Sequence, residues 1–325
     1  MILHKDRKMF RDSIQATAQH LDIPEVYIEK DYWVSLILKK LFTSELSNQV
    51  VFKGGTSLSK CYNLIQRFSE DIDLLVFRID DEADNQLTKR LKKIGEIVNN
   101  ILPEKFIPGY TNKKGMIRKT VHEYKKVFEG DLGQVGDSIV IEASWLGNSE
   151  PFSKETVSSY IQDFITLNGP KDLLEKYELS SFDVQALSVK RTFCEKIMSL
   201  VRFSLTGDPF ENLPKKVRHI YDLHLMMKSE GILSFFNEDD FIEMLLKVGQ
   251  DDFIGYRNNN EWLKNHPCSA IIFDAPEEIW PSIKSAYQTS FKHMVFGQLP
   301  DEADLLATLN KIKSRIQPIA WEIDH

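Results

Sequence analysis

Residues 51–76 read VFKGGTSLSKCYNLIQRFSEDIDLLV. A short apolar run ends in the pair Gly54–Gly55, followed by the hydroxyls of Thr56 and Ser57. A segment with helical spacing comes next. Then Ser69-Glu70-Asp71-Ile72-Asp73 runs straight into the apolar Leu74-Leu75-Val76. The pattern predicts a strand at 50–53, a helix at 56–66 and a strand at 72–77. Glycines at the mouth of a helix let backbone N–H groups approach a phosphate, and the helix N-terminus favours negative charge. Asp71 and Asp73 are two apart, which on a strand puts both carboxylates on one face. Adjacent carboxylates repel unless a cation neutralises them, and Mg²⁺ with triphosphate oxygens is a common answer. A phosphate cradle next to a same-face carboxylate pair points to nucleotide chemistry with metal ions.

Upstream, residues 5–20 predict one helix and the residues after Pro24 a second, with Tyr27, Ile28, Tyr32, Trp33, Leu36, Ile37 and Leu41 as a wide apolar stripe. Glu29-Lys30-Asp31 within it reads as a solvated helical turn with local charge pairing. Downstream, an acidic turn at 80–84 precedes a long amphipathic helix at about 85–102, whose outer face carries Lys89, Arg90, Lys92 and Lys93. Between 113 and 126, Lys113, Lys114, Arg118, Lys119, Lys125 and Lys126 face one acid, Glu123, with Tyr110, Tyr124 and Phe128 interleaved or flanking. Two readings stay open: a lysine-protected edge hairpin, or a surface for nucleic-acid phosphates. Residues 137–144, DSIVIEAS, alternate as a strand. Its Glu142 is either a solvent-facing carboxylate or a third acid beside Asp71 and Asp73.

From Gly147 onward the strand signal largely stops. Helices are expected at 155–167, 183–205, 213–229, 238–248, 275–296 and 301–316. The chain therefore divides into a mixed first half, 1–150, and a helical second half, 151–325. In the latter, Phe193, Ile197, Leu200 and Val201 form an apolar stripe beside Lys196, and Arg218 and Asp222 stand four apart on one helix. Taken singly, these charged residues read as helix-surface ion pairs.

The 325 residues carry a formal net charge of −7, which argues against a duplex-DNA binder held by bulk positive charge. Cys61, Cys194 and Cys268 form no CxxC pair, and packed, reduced thiols are expected. There is no apolar leader segment at the N-terminus and no apolar run near the ~18 residues needed to span a bilayer, so a cytoplasmic protein without membrane contact is expected.

KGGTSLSK, RFSEDIDL, an EKI helix at Glu195–Ile197 and RHIYDL, in that order, resemble the AbiEii/AbiGii toxin family. EKDYW at Glu29–Trp33 is also similar to that family's N-terminal helix. The resemblance spans roughly residues 20–230 and implies an α+β fold: a polymerase-β-like nucleotidyltransferase core with a mixed sheet, followed by a mainly helical domain that closes the active-site cleft. It implies that Gly54, Gly55 and Thr56 hold nucleotide phosphates, with Ser57 and Lys60 beside them. Asp71 and Asp73 match the paired metal-binding aspartates, and Glu142 is the candidate third acid. Lys196 matches the third-motif lysine. Asp222 matches the fourth-motif aspartate, with Arg218 just before it as a further nucleotide contact. Asp222 could bind base or ribose, act as a base, or orient Lys196 through an ion pair. The implied reaction is Mg²⁺- or Mn²⁺-dependent transfer of NMP from an NTP to an acceptor such as tRNA, by the toxin of a toxin–antitoxin or phage-defence pair whose partner is a cognate antitoxin. The alternatives are a catalytically silent nucleotide-binding interaction protein and a metal-dependent phosphodiester hydrolase.

Overall fold

The computed structural model describes residues 2–69, 71–79, 82–130 and 138–323. Glu70, Asp80 and Asp81 of the acidic stretches, and Asp137 at the head of the expected strand, lie outside the described residues. The chain packs into two compact units, residues 1–61 with 68–186 and residues 62–67 with 187–325.

The first unit is built on a seven-stranded mixed sheet. Its strands are β1 (Val50–Lys53), β2 (Asp71–Val76), β3 (Glu104–Lys105), β4 (Ile117–Glu123), β5 (Ser138–Ser144), β6 (Phe152–Val157) and β7 (Phe182–Leu187). They lie in the order β3-β4-β5-β2-β1-β7-β6. β1 is antiparallel to β2, β2 is parallel to β5, and β1 is parallel to β7. The central strands are apolar because both faces are covered: Val51, Phe52, Ile72, Leu74 and Ile141 are at most 1% exposed.

The helices of this unit are α1 (Arg7–Leu21), α2 (Glu25–Phe42), α3 (Gly54–Lys60), α4 (Asp84–Asn99), α5 (Tyr160–Asn168) and α6 (Asp172–Lys176). α1 starts where the Asp6 side chain accepts from Met9 N at 3.1 Å, and α5 where Ser159 accepts from Gln162 N at 3.1 Å. α2 packs against α1, α4, α5 and β5. The expected solvated turn is the opposite of what forms: Glu29, Lys30 and Asp31 are 1%, 2% and 8% exposed. α2 is apolar almost all round, and such a helix is enclosed rather than laid on a surface.

The strands also continue beyond Gly147. β6 and β7 replace the first residues of two expected helices, and the expected division near 150 falls inside the first unit. β6, FSKETV, is a polar edge strand with no apolar alternation to betray it. β7 is separated from the helix behind it only by Ser188, without a glycine or proline to mark the break. The helix expected at 56–66 ends at Lys60, and the chain beyond passes Asn63 at φ 50°.

The second unit is helical: α7 (Val189–Leu205), α8 (Pro209–Asn212), α9 (Val217–Met226), α10 (Glu230–Asn237), α11 (Asp239–Tyr256), α12 (Ile271–Asp274), α13 (Pro276–Ala286) and α14 (Glu302–Ile316), with further single helical turns in the longer connections after α11 and α13. α7 is its central element and packs against α8, α9, α10, α11 and α12. The stripe Phe193, Ile197, Leu200 and Val201 is buried as expected, and aromatic rings from α10 and α11 close on Phe193. No described helix is long and apolar enough to cross a membrane.

Candidate functional site

The site begins at the junction of β1, α3 and β2. β1 and β2 pair Lys53 with Asp73, and α3 starts at once with Gly54 at φ +80°. A Cβ added to Gly54 would lie 1.9 Å from Asp73 Oδ2. Glycine is therefore required twice, for the backbone turn and for the carboxylate beside it. The glycine turn and the carboxylate thus share one place. Thr56 Oγ1 donates to the Asp71 carbonyl at 2.5 Å and Ser57 Oγ to the Gly54 carbonyl at 2.9 Å, so α3 is tied to β2 and to its own first residue.

Asp71 and Asp73 share a face of β2, both partly accessible, while Ile72 between them is fully buried. Strand register extends this face. Asp73 pairs with Glu142 on β5, and Glu142 pairs with Lys119 on β4. With Lys53 this makes a row of charges, Lys53-Asp73-Glu142-Lys119, crossing four neighbouring strands on one face. Lys119 Nζ lies 3.2 Å from Glu142 Oε2 and 4.4 Å from the centre of the Tyr110 ring.

The Asp71–Asp73 pair could hold a divalent ion: two hard oxygen ligands on one face, beside a glycine so close to the Asp73 carboxylate that no side chain fits there. Among the described residues no group of three or more His, Cys, Asp or Glu side chains is gathered for a metal. Glu142 is held toward Lys119.

In the second unit, Asp222 on α9 has no exposed surface. Arg67 donates Nε to Oδ1 and Nη2 to Oδ2, both at 2.7 Å, and Lys196 Nζ on α7 donates to Oδ2 at 2.7 Å. His219 Nδ1 stands 3.5 Å from Lys196 Nζ. Burial alone would push the Asp222 carboxyl up, but the charges of Arg67 and Lys196 overcome it and hold the group well below the usual carboxylate range. Burial draws the Lys196 ammonium below the ordinary lysine range, with Asp222 opposing and Arg67 adding to that shift. Burial and the neighbouring Lys196 keep His219 neutral.

A family model, described as "Nucleotidyl transferase AbiEii toxin, Type IV TA system", matches residues 36–311. The chain belongs to the AbiEii nucleotidyltransferase toxin family. No curated protein matches the chain. Among solved structures it is similar to MenT4, a nucleotidyltransferase toxin from Mycobacterium tuberculosis H37Rv, with 16% identity, a TM-score of 0.62, and coverage of 94% of this chain and 89% of that one. At that identity the likeness carries the fold: the α+β nucleotidyltransferase architecture with a mixed sheet and many helices.

Against this AbiEii frame the expected residues fall into three groups. Gly54, Gly55, Thr56, Asp71 and Asp73 are assembled at one turn. Ser57 and Lys60, expected beside phosphates, instead brace it from within. Ser57 is fully buried, and the Lys60 ammonium ion-pairs with Asp31, which also accepts from Tyr160 N at 2.8 Å. Lys196 and Asp222 are one hydrogen-bonded unit, and Arg218 sits half-buried a turn earlier on α9. The helix-surface reading of Lys196 and Asp222 is overturned by their burial, and of the roles open to Asp222 the structure displays the ion pair. Sequence reasoning passes over Lys53 and Arg67, whose signals are slight: Lys53 is the residue before the glycines, and Arg67 opens RFSEDIDL. Of the aromatics near the basic stretch, Tyr124 and Phe128 are core residues, whereas Tyr110 and Phe106 are exposed at 42% and 68%. Burial pushes the Cys61 thiol up to about 12, which disfavours the thiolate.

Proposed function

We propose that this nucleotidyltransferase moves NMP from an NTP to a nucleic-acid acceptor, with tRNA as the leading substrate, in a Mg²⁺- or Mn²⁺-dependent reaction that releases pyrophosphate. One observation carries the reading: the Gly54 turn abuts the Asp73 carboxylate, so a phosphate cradle and a metal-binding carboxylate pair meet at one point. A divalent ion held by Asp71 and Asp73 would polarise the α-phosphate and lower the pKa of the attacking hydroxyl. The chain's own part is positioning. The Thr56 and Ser57 hydroxyls are turned inward to carbonyls, so the backbone N–H groups at the start of α3 would be the donors that hold the phosphates. Lys53 and Lys119 flank Asp73 and Glu142 and limit the repulsion between them. Lys196, which resembles the family's third-motif lysine, would supply a fixed cation to the phosphates.

The nucleic-acid acceptor is supported by the open end of the same sheet face. Beyond Glu142 come Lys119 and the exposed ring of Tyr110, with Phe106, Lys113 and Lys114 exposed nearby in sequence. Exposed rings interleaved with lysines suit unpaired bases and their phosphates. The family's place in type IV toxin–antitoxin systems supports a cognate antitoxin as partner.

The test is label transfer from each of the four α-labelled NTPs, with Mg²⁺ or Mn²⁺, to total tRNA and other RNA. Transfer by the wild type and its loss in Asp71→Asn and Asp73→Asn are expected. Folded protein that binds NTP but labels nothing would overturn transfer in favour of a binding module, and shortened RNA would favour hydrolysis.

A further inference from the structure

A half-open cavity of about 40 Å³ lies within the first unit, between α2, α5 and the turn that leads from α6 into β7. Its walls are mostly apolar: Ile2, Leu36, Leu179 and Phe182, with the rings of Tyr32 and Tyr177. Most hydroxyls along it have partners. Tyr32 Oη is hydrogen-bonded to His4 Nδ1 at 2.9 Å, Tyr177 Oη donates to Asp6 Oδ2 at 2.8 Å, and Ser159 Oγ accepts from Gln162 N at 3.1 Å. Ser35 Oγ, on α2, is buried and has no partner among the described residues. A hydroxyl inside a helix can turn back to the carbonyl four residues earlier, as Thr17 does to Ser13 at 2.8 Å. Ser35 makes no such bond, and a buried hydroxyl left unpaired costs stability.

Ser35 has cations for neighbours on the same helix face. Lys39 stands one turn further on with Lys40 beside it, and both line the cavity. Lys39 Nζ donates to the carbonyls of Glu178 and Ser180 at 2.8 and 3.1 Å and to Ser180 Oγ at 2.8 Å. These three neutral oxygens fix the ammonium in place. Among the lining residues Glu178 is the acid that acts on it, so two lysines stand against one carboxylate. Burial draws Lys39 below the ordinary lysine range, a shift that a bound anion would oppose.

We propose that this cavity binds a small monocarboxylate, whose carboxylate accepts from Ser35 Oγ and lies against Lys39 and Lys40 while its hydrocarbon body packs on Leu36, Leu179 and Phe182. One head group meets both needs because residues four apart on a helix are neighbours, about 5–6 Å between Cβ atoms. The volume has room for about three water molecules, or a body of about three to four carbons, which selects acids the size of butyrate. A carboxylate brings an acceptor for the orphaned hydroxyl and a charge for the lysines, and a hydrocarbon or an amine brings no such pair. The cavity shares no residue with the Gly54–Asp73 junction, so this site stands or falls independently of nucleotidyl transfer.

The experiment titrates the full chain with ¹³C-labelled butyrate, and with butan-1-ol as a probe of similar body without charge. Binding is read from the NMR signal of the probe and from the protein's thermal denaturation midpoint. Saturable one-to-one binding of butyrate is expected, with butan-1-ol about tenfold weaker, the scale of one charge-assisted hydrogen bond. Ser35→Ala is expected to weaken butyrate by about the same factor. Lys40→Met should weaken butyrate and leave butan-1-ol unchanged. Without butyrate, Ser35→Ala should melt above the wild type, because the hydroxyl it removes has no partner in the fold. With saturating butyrate that order should reverse. A hydroxyl that served only the fold would make Ser35→Ala the less stable protein in both buffers. Absence of butyrate binding by the folded wild type, equal affinity for butan-1-ol, or unchanged butyrate affinity in Ser35→Ala overturns the site.

Discussion

Gly54 carries two constraints that no other residue type meets. Its φ of +80° lies where an L side chain is strained, and a Cβ there would collide with the Asp73 carboxylate. Gly54→Ala is expected to lower stability by about 1–3 kcal/mol through backbone strain. Transfer should fall about a hundredfold, because displacing a catalytic carboxylate by an ångström costs that order. Chemical denaturation and the label-transfer assay measure the two effects separately. Asp222 makes a different residue-scale prediction. Its folded pKa lies far below its unfolded value, so its stabilisation is fully present above the unfolded carboxylate range and is lost as pH falls through that range and below. Denaturation midpoints between about pH 6 and 2 should therefore fall more steeply for wild type than for Asp222→Asn, which lacks this ionisation. At neutral pH the variant should lose about 3–5 kcal/mol, the cost of stranding buried cations.

At the scale of elements, α2 acts as an internal strut. Glu29 accepts from the amides of Val127 at 2.9 and 3.1 Å and of Phe128 at 3.1 Å, ending the turn after β4. Asp31 joins Lys60 at the end of α3 to the first amide of α5. The motif that reads as a surface turn is thus the tie between α2 and three other parts of the first unit. Glu29→Ala leaves two amides without their acceptor, and a loss of about 1–3 kcal/mol for each is expected. Faster hydrogen exchange at Val127 and Phe128 than at the β4 amides would locate it. Wild-type exchange at both would refute the strut. Asp31→Ala should be worse than the double change Asp31→Ala, Lys60→Met, because the single change leaves a buried ammonium unpaired.

For the molecule as a whole, charge distribution matters more than charge. At −7 overall the net charge disfavours RNA at long range, so the proposed RNA acceptor would have to be held by a local cationic and aromatic surface. Tyr110, Lys113 and Lys114 are exposed residues of the β3–β4 end of the sheet. Replacing Lys113 and Lys114 by alanine should reduce the salt dependence of RNA binding, by about one unit of slope for each phosphate left without its lysine. Tyr110→Ala should cost about 1–3 kcal/mol of affinity at fixed salt if a base stacks on the ring. Titrations of RNA at several salt concentrations test both. Unchanged slopes would move the acceptor surface elsewhere.

Much of the site was legible because its signals are local. Strand alternation puts Asp71 and Asp73 on one face whatever the rest of the chain does, and a glycine pair between a strand and a helix marks a close backbone approach. The amphipathic helices declare themselves through the same short-range periodicity, as α4 and α14 do. Tertiary structure alone decided what stands beside those groups. Lys53, Glu142 and Lys119 reach Asp73 through strand register, which depends on which strands pair and not on spacing along any one of them. Arg67 meets Asp222 across 155 residues. Burial turned Glu29, Asp31 and Asp222 from ordinary surface charges into paired ones, because a charge taken out of water persists only with a partner. The residues of the proposed metal and phosphate site are therefore near neighbours in sequence, while their electrostatic setting had to await the fold.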